Sequence, residues 1–280
     1  MLFRKNAGFL ALITALFMVS LVLGGCGQAP EASETKGEEL TGSLTIAGST
    51  SVQPVSELLA EAFMDENPQT RVRVQGGGSS AGITAAEGGA AEIGASSRDL
   101  KEDEKHLTEY IIAQDGIVIV VHPSNPVSDL SLEEVKNIYR GEITSWYELG
   151  GTDASLQVVT REEGSGTRGA FEEIVMEDEY ITDRAIVQNS TGAIATTVAG
   201  DENAIGYISL AALDEKVKDL KIEGAEPTRE NIVSGNYKVS RPFIYVTKGE
   251  PQGLAKSFID FVMSPQAQGI IEEAGLVSVN

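Results

Sequence analysis

From residue 43 onward, short β-rich runs alternate with helical runs, and four times the chain passes from a strand into a loop of Ser, Thr and Gly before the next helical or charged run. This alternation argues for α/β units on mainly parallel sheets, because a parallel strand pair needs a crossover between its members. "SLTIAG" predicts a strand, and beyond "STS" the residues Val52, Val55, Leu58, Leu59, Ala62 and Phe63 recur at helical spacing. "RVRVQG" and "AEIGAS" predict further strands, with a short helix over "ITAAEGG" between them. "DGIVIVVHP" reads as a strongly buried strand, "LQVVTR", "AIGYIS" and "PFIYVTK" as strands, and "SLEEVKNIYRG", "GAFEEIVM" and "LAKSFIDFVMSP" as helices. There is no internal repeat.

The four loops are "GSTS" (48–51), "GGGSSAG" (76–82), "SSRD" (96–99) and "GSGT" (164–167). Open α/β sheets bind ligands beyond the carboxyl ends of their strands. Helix starts there present free N–H groups and a positive dipole end, which favour anions. Any one such loop is more often a cap or a turn than a site. Four together, with Arg161 closing the strand before "EEGSGT", favour an oxyanion cradle, since the planar guanidinium matches two oxygens of a tetrahedral anion.

Charge narrows the partners. Forty-two acidic against 21 basic residues give a net charge of −21, which argues against nucleic acid. The chain begins "MLFRKNAGFLALITALFMVSLVLGGCG": two basic residues, an apolar run from Phe9 to Leu23, then small residues before Cys26, the only cysteine. The run falls short of the roughly 18 to 20 residues of a spanning helix and reads as a secretory signal over residues 1–25. Without it the chain carries 19 basic against 42 acidic residues, or −23. "LGGC" resembles the bacterial lipobox, whose cysteine becomes the lipidated first residue. Residues 27–42, with little that is apolar, then read as a flexible tether from the lipid at Cys26 to the domain, on the outer face of the membrane.

Catalytic readings fare less well. No segment carries the lysine of a nucleotide-binding P-loop. "GSSAG" (78–82) matches the G-x-S-x-G nucleophile elbow with Ser80 at its centre, but the only histidines are His106, in a charged run, and His122, in "VVHPSNP". A secreted serine hydrolase using Ser80 is the alternative from another class. One cysteine and two isolated histidines offer little for a metal. No cofactor is expected.

The successive stretches "AGSTSVQP", "QGGGSSAGI", "IGASSRDL", "IYRGEITSWYELGG", "REEGSGTRGAF" and "NAIGYISL" resemble, in order and over nearly all of the chain after residue 43, the phosphate-binding proteins of bacterial ABC-type phosphate uptake systems. The resemblance implies a non-enzymatic receptor with a two-lobed, type II periplasmic-binding-protein-like α/β fold and a phosphate in the cleft. It implies lobe I from 43–118 plus 240–280 and lobe II from 119–239. Carried over residue by residue, the ligands are Thr50, Ser51, Ser79, Arg161, Ser165, Gly166 and Thr167. The partners implied are inorganic phosphate and permease subunits of an ABC transporter, with the receptor itself a monomer. Where the best-known members have an aspartate after "GAS", this chain has Ser97, followed by Arg98 and Asp99. An aspartate can only accept from the proton on hydrogen phosphate, whereas a serine both accepts and donates. Ser97 is placed against the ligand by its matched position and Asp99 is expected at a helix start as a cap, with two alternatives open: Asp99 swings in as the acceptor, or Arg98 adds a second positive charge. Sulfate, molybdate or tungstate in the same receptor fold is the other reading of the ligand.

Overall fold

The computed structural model describes residues 39–177 and 179–279. The expected signal segment, Cys26 and residues 27–38 of the tether lie outside the described residues. Strands are β1 (Gly42–Gly48), β2 (Thr70–Gly76), β3 (Ile93–Ser96), β4 (Thr108–Val121), β5 (Asp129–Leu130), β6 (Gln157–Arg161), β7 (Ile186–Gln188), β8 (Ala204–Ser209), β9 (Lys218–Asp219), β10 (Lys221–Ile222) and β11 (Ser240–Thr247). Helices are α1 (Gln53–Glu66), α2 (Ser79–Gly88), α3 (Leu132–Arg140), α4 (Gly166–Phe171), α5 (Thr191–Ala199), α6 (Arg229–Val233), α7 (Gly253–Val262) and α8 (Pro265–Glu273).

The main sheet runs β2-β1-β3-β11-β4-β8-β6-β7, with β9 also on β4. At one end β1 lies parallel to β2 and β3, and at the other β6 lies parallel to β7 and β8. Between them β4 and β11 pair antiparallel over Thr108–Gly116 and Ser240–Thr247, with one register shift between Phe243 and Ile244. These two strands carry the chain from one half to the other.

Each half is covered on both faces, as strands buried on both sides require. Successive residues of β4 point to opposite faces, so Ile117, Ile119 and Val121 pack with Tyr139, Trp146, Phe171 and Tyr207, while Val118 and Val120 pack with Ile194 and Val198 of α5. In the other half Phe243 and Tyr245 of β11 join Leu44, Ile46, Phe63 and Phe258, and the alternating Ile244 and Val246 meet Ile83, Ala86 and Leu107.

Several sequence-based expectations shift. β4 begins at Thr108, seven residues before Asp115, because its first half shows solvent the mixed side chains Glu109 and Ile111. α2 starts at Ser79 rather than Ile83, so the serines of "GGSS" open a helix. Leu58 is exposed, and the buried face of α1 runs through Val55, Ser56, Leu59, Ala60 and Phe63. "GAFEEIVM" is not one α-helix: α4 widens into a π turn over Glu172–Met176. Residues 102–106 are turns, so Asp99 caps no helix.

Candidate functional site

The carboxyl ends of β1, β3 and β6, and the starts of α1, α2, α4 and α5, meet at one buried cluster of hydroxyls around one arginine. Gly48 ends β1 with φ +147, and a Cβ there would lie 2.1 Å from the Ala95 carbonyl oxygen, so only glycine lets β1 and β3 close at this point. The next residue, Ser49, accepts from the N–H groups of Ser51 (3.2 Å) and Val52 (3.4 Å) and donates to the Ser97 hydroxyl at 2.8 Å. Ser51 shares hydrogen bonds with the hydroxyls of Thr167 (2.9 Å) and Thr191 (2.7 Å). Thr50, half-buried, lies 3.5 Å from the Thr191 hydroxyl and accepts from its N–H at 3.3 Å. Ser79 accepts from the Ser97 N–H at 3.1 Å.

Ser51, Ser79, Ser97, Arg161, Ser165, Thr167 and Thr191 are all buried. Burying this many hydroxyls costs free energy unless each finds a partner; most do so across elements distant in sequence, and Ser165 does so at its own helix start. Ser165 caps α4 by accepting from the Arg168 N–H, and Ser190 caps α5 by accepting from the Ala193 N–H. The Gly164 carbonyl accepts from the Ser80 N–H at 3.1 Å, joining the "GSGT" and "GGSS" loops directly. Gly166 is pressed against that contact: a Cβ there would sit 2.1 Å from the Ser79 Oγ and 2.7 Å from the Ser97 Oγ.

Arg161 is buried, with Nη1 donating to the Thr191 hydroxyl at 3.3 Å. Its Nε and Nη2 form a fork on the two carboxylate oxygens of Glu162, both at 2.8 Å. The backbone is held as firmly. Its N–H donates to the Tyr207 hydroxyl, which also bonds Thr160, and its carbonyl accepts from Arg168 Nη1. Tyr207 stacks on Phe171 with ring centroids 4.2 Å apart. Burial pushes the Tyr207 phenol up to about 12 against the opposing hydrogen bond from Thr160, so it stays a neutral hydroxyl at physiological pH.

All eight sequence-predicted site residues fall in or beside this cluster. Arg98 and Asp99 do not. Arg98 forms a fork on Glu104 at 2.7 and 2.8 Å and reaches the Ser80 hydroxyl at 3.3 Å, while Asp99 is exposed. Both line a groove of about 1200 Å³ that reaches Ser80, Gly164 and Ser165 on one side and includes Lys101, Lys105 and Arg168. Ser80 has no histidine beside it. His106 bonds Glu87 and the Asp103 carbonyl, and His122 bonds Ser124. The elbow match is therefore a helix start and not a nucleophile with its base.

Thr191 and Ser49 were missed from sequence. A signal existed for Thr191, since "NSTGAIATTVAG" is another Ser/Thr-Gly loop leading into a helical run. The strand before it, β7, is three residues long with no buried side chain, so no hydrophobic run marked it.

A family model described as the PBP superfamily domain matches residues 31–266. The phosphate-binding protein PstS of Bacillus subtilis is 36% identical, over 99% of this chain and 95% of its own length. A crystal structure of a substrate-binding protein with bound phosphate from Clostridium perfringens superposes with a TM-score of 0.82 at 47% identity, covering 85% of this chain and 100% of that one. An ABC-type phosphate transport receptor from Vibrio cholerae gives 0.70 at 40% identity, over 84% and 99%. A two-lobed fold whose buried hydroxyls and arginine gather at strand ends, together with these likenesses, leads to one statement: the chain belongs to the PstS phosphate-binding protein family of the PBP superfamily.

Proposed function

We propose that this protein is the extracytoplasmic receptor that binds inorganic phosphate and delivers it to the permease of an ABC transporter, and that it performs no catalysis. The observation that carries the reading is the convergence of four helix starts and Arg161 on one buried cluster of hydroxyls. Such a set offers a tetrahedral anion many short, fixed donors in a water-poor place, where each is strong. Thr50, Ser51, Ser79, Ser97, Arg161, Ser165, Gly166 and Thr167 are the proposed ligands, and Thr191 joins them. Arg161 would release Glu162 to turn its fork on the anion. The lobes are 43–118 plus 240–280 and 119–239, with β4 and β11 crossing between them.

Cys26 is the proposed lipidation site, tethering a monomer to the outer face of the membrane. Cys26→Ser should shift the protein out of the membrane fraction, and a processed, membrane-held variant would refute the anchor. The ligand is tested by calorimetric titration of the purified protein with phosphate, arsenate and sulfate. Phosphate and arsenate should bind and sulfate should bind more weakly. No heat with phosphate but heat with sulfate, molybdate or tungstate would reassign the ligand.

A further inference from the structure

One buried ion pair lies outside the cluster. Asp115 of β4 and Arg241 of β11 are directly opposite each other on the two crossing strands, and both are buried. Arg241 places Nε (3.1 Å) and Nη2 (3.0 Å) on a single oxygen, Oδ2. The other oxygen, Oδ1, accepts from the Ser209 hydroxyl (2.8 Å) and the Leu210 N–H (3.1 Å). The carboxylate is thus fully used, yet Arg241 Nη1 is buried with no hydrogen-bond partner, alone in this among the described side chains. A guanidinium N–H out of water and unpaired is costly, and a fold that keeps one calls for an acceptor.

Its position says which acceptor. Ser209 is the last residue of β8, and β8 lies parallel to β6, whose last residue is Arg161. Arg241 therefore stands at the same carboxyl edge of the sheet as Arg161. Burial holds the Arg241 guanidinium below its ordinary value; Asp115 opposes this, and the nearby positive charge of Arg161 adds to the lowering. Each of the two neighbouring buried cations already has one carboxylate, Glu162 and Asp115. A multiply charged anion between them would relieve the repulsion that remains.

We propose that Arg241 is a second cationic anchor of the anion site, its Nη1 donating directly to an oxygen of the bound phosphate. This rests on the phosphate-receptor reading. Arg241→Lys keeps a donor for Asp115 but has no second prong, so it separates anchoring from the pairing of the crossing strands. Titration with inorganic phosphate should show affinity lowered about 10- to 150-fold, the range for losing a hydrogen bond to a charged group, with the unfolding temperature held. A crystal structure of the wild-type protein with inorganic phosphate supplies a readout that needs no variant, and Nη1 should lie within hydrogen-bond distance of a phosphate oxygen. Wild-type affinity in the lysine variant, or an Nη1 that stays away from the anion or reaches it only through water, would overturn the proposal and leave the receptor reading intact. Absence of phosphate binding by the wild-type protein would sink both.

Discussion

Replacing Gly166 with alanine tests the cradle at its tightest point. Gly166 has no positive φ, so alanine suits its backbone, and as a helix residue alanine is favoured by up to about 1 kcal/mol. Any loss must then come from contact. The new Cβ would lie 2.1 Å from Ser79 Oγ, 2.9 Å from Ser79 Cβ and 2.7 Å from Ser97 Oγ, well inside the closest approach that carbon tolerates. Turning Ser79 away clears Oγ but gives up the hydrogen bond it accepts from the buried Ser97 N–H, at about 1 to 3 kcal/mol. Backing the segments apart instead costs a similar ~1 to 3 kcal/mol in overpacking. Gly166 opens α4, whereas Ser79 opens α2 and Ser97 directly follows β3, in the other half of the sheet. The strain therefore falls between the two halves and not within either one. Phosphate affinity measured by calorimetry should fall about 5- to 150-fold. Wild-type affinity in the alanine variant would refute the close approach.

Arg161→Ala should weaken phosphate binding by about 2 to 4 kcal/mol, the scale for truncating one partner of a buried charge pair; unchanged calorimetric affinity in a folded variant would remove Arg161 from the site. Asp99 faces solvent while Ser97 is buried against Ser49 and Ser79, so Asp99→Asn should leave the ratio of phosphate to sulfate affinity unchanged, and relaxed sulfate rejection on titration would show that Asp99 reaches the anion. Desolvation raises the Glu104 carboxyl, but Arg98 and the Lys101 N–H outweigh it and hold it below the ordinary value of 4.5. A depressed folded value adds stability above the unfolded value that is lost as pH falls through the folded one. Glu104→Gln should thus lower the unfolding temperature at pH 7 and match the wild type progressively below pH 4.5, and a gap that stays constant with pH would contradict the ion pair.

Much of this was readable in advance where the chemistry is local. Buried runs such as "GIVIVV" and "AIGYIS" announce central strands, and the Ser/Thr/Gly loops after "SLTIAG" and "LQVVTR" announce helix starts beside strand ends. Elements whose exposure alternates or whose length is marginal were not readable. The first half of β4 mixes polar and apolar residues, β7 is too short to show a period, and α8 follows its Ser264 cap with the polar, Gly-interrupted start "PQAQG". Long-range pairing is hidden for another reason. Nothing in the neighbourhood of Arg161 foretells that Glu162 closes its fork, or that Asp115 and Arg241, 126 residues apart, share a register.

The Thr191 hydroxyl touches partners 141, 140 and 30 residues away, in Thr50, Ser51 and Arg161. No fragment of the chain contains the cradle, and a denatured chain has no reason to hold its pieces together. An anion that fits it can therefore recognise only the completed fold, so by mass action each rise in free phosphate above its dissociation constant lifts the melting temperature. For a protein without a catalytic signal to follow, that makes the ligand itself a gauge of how much of a sample is native.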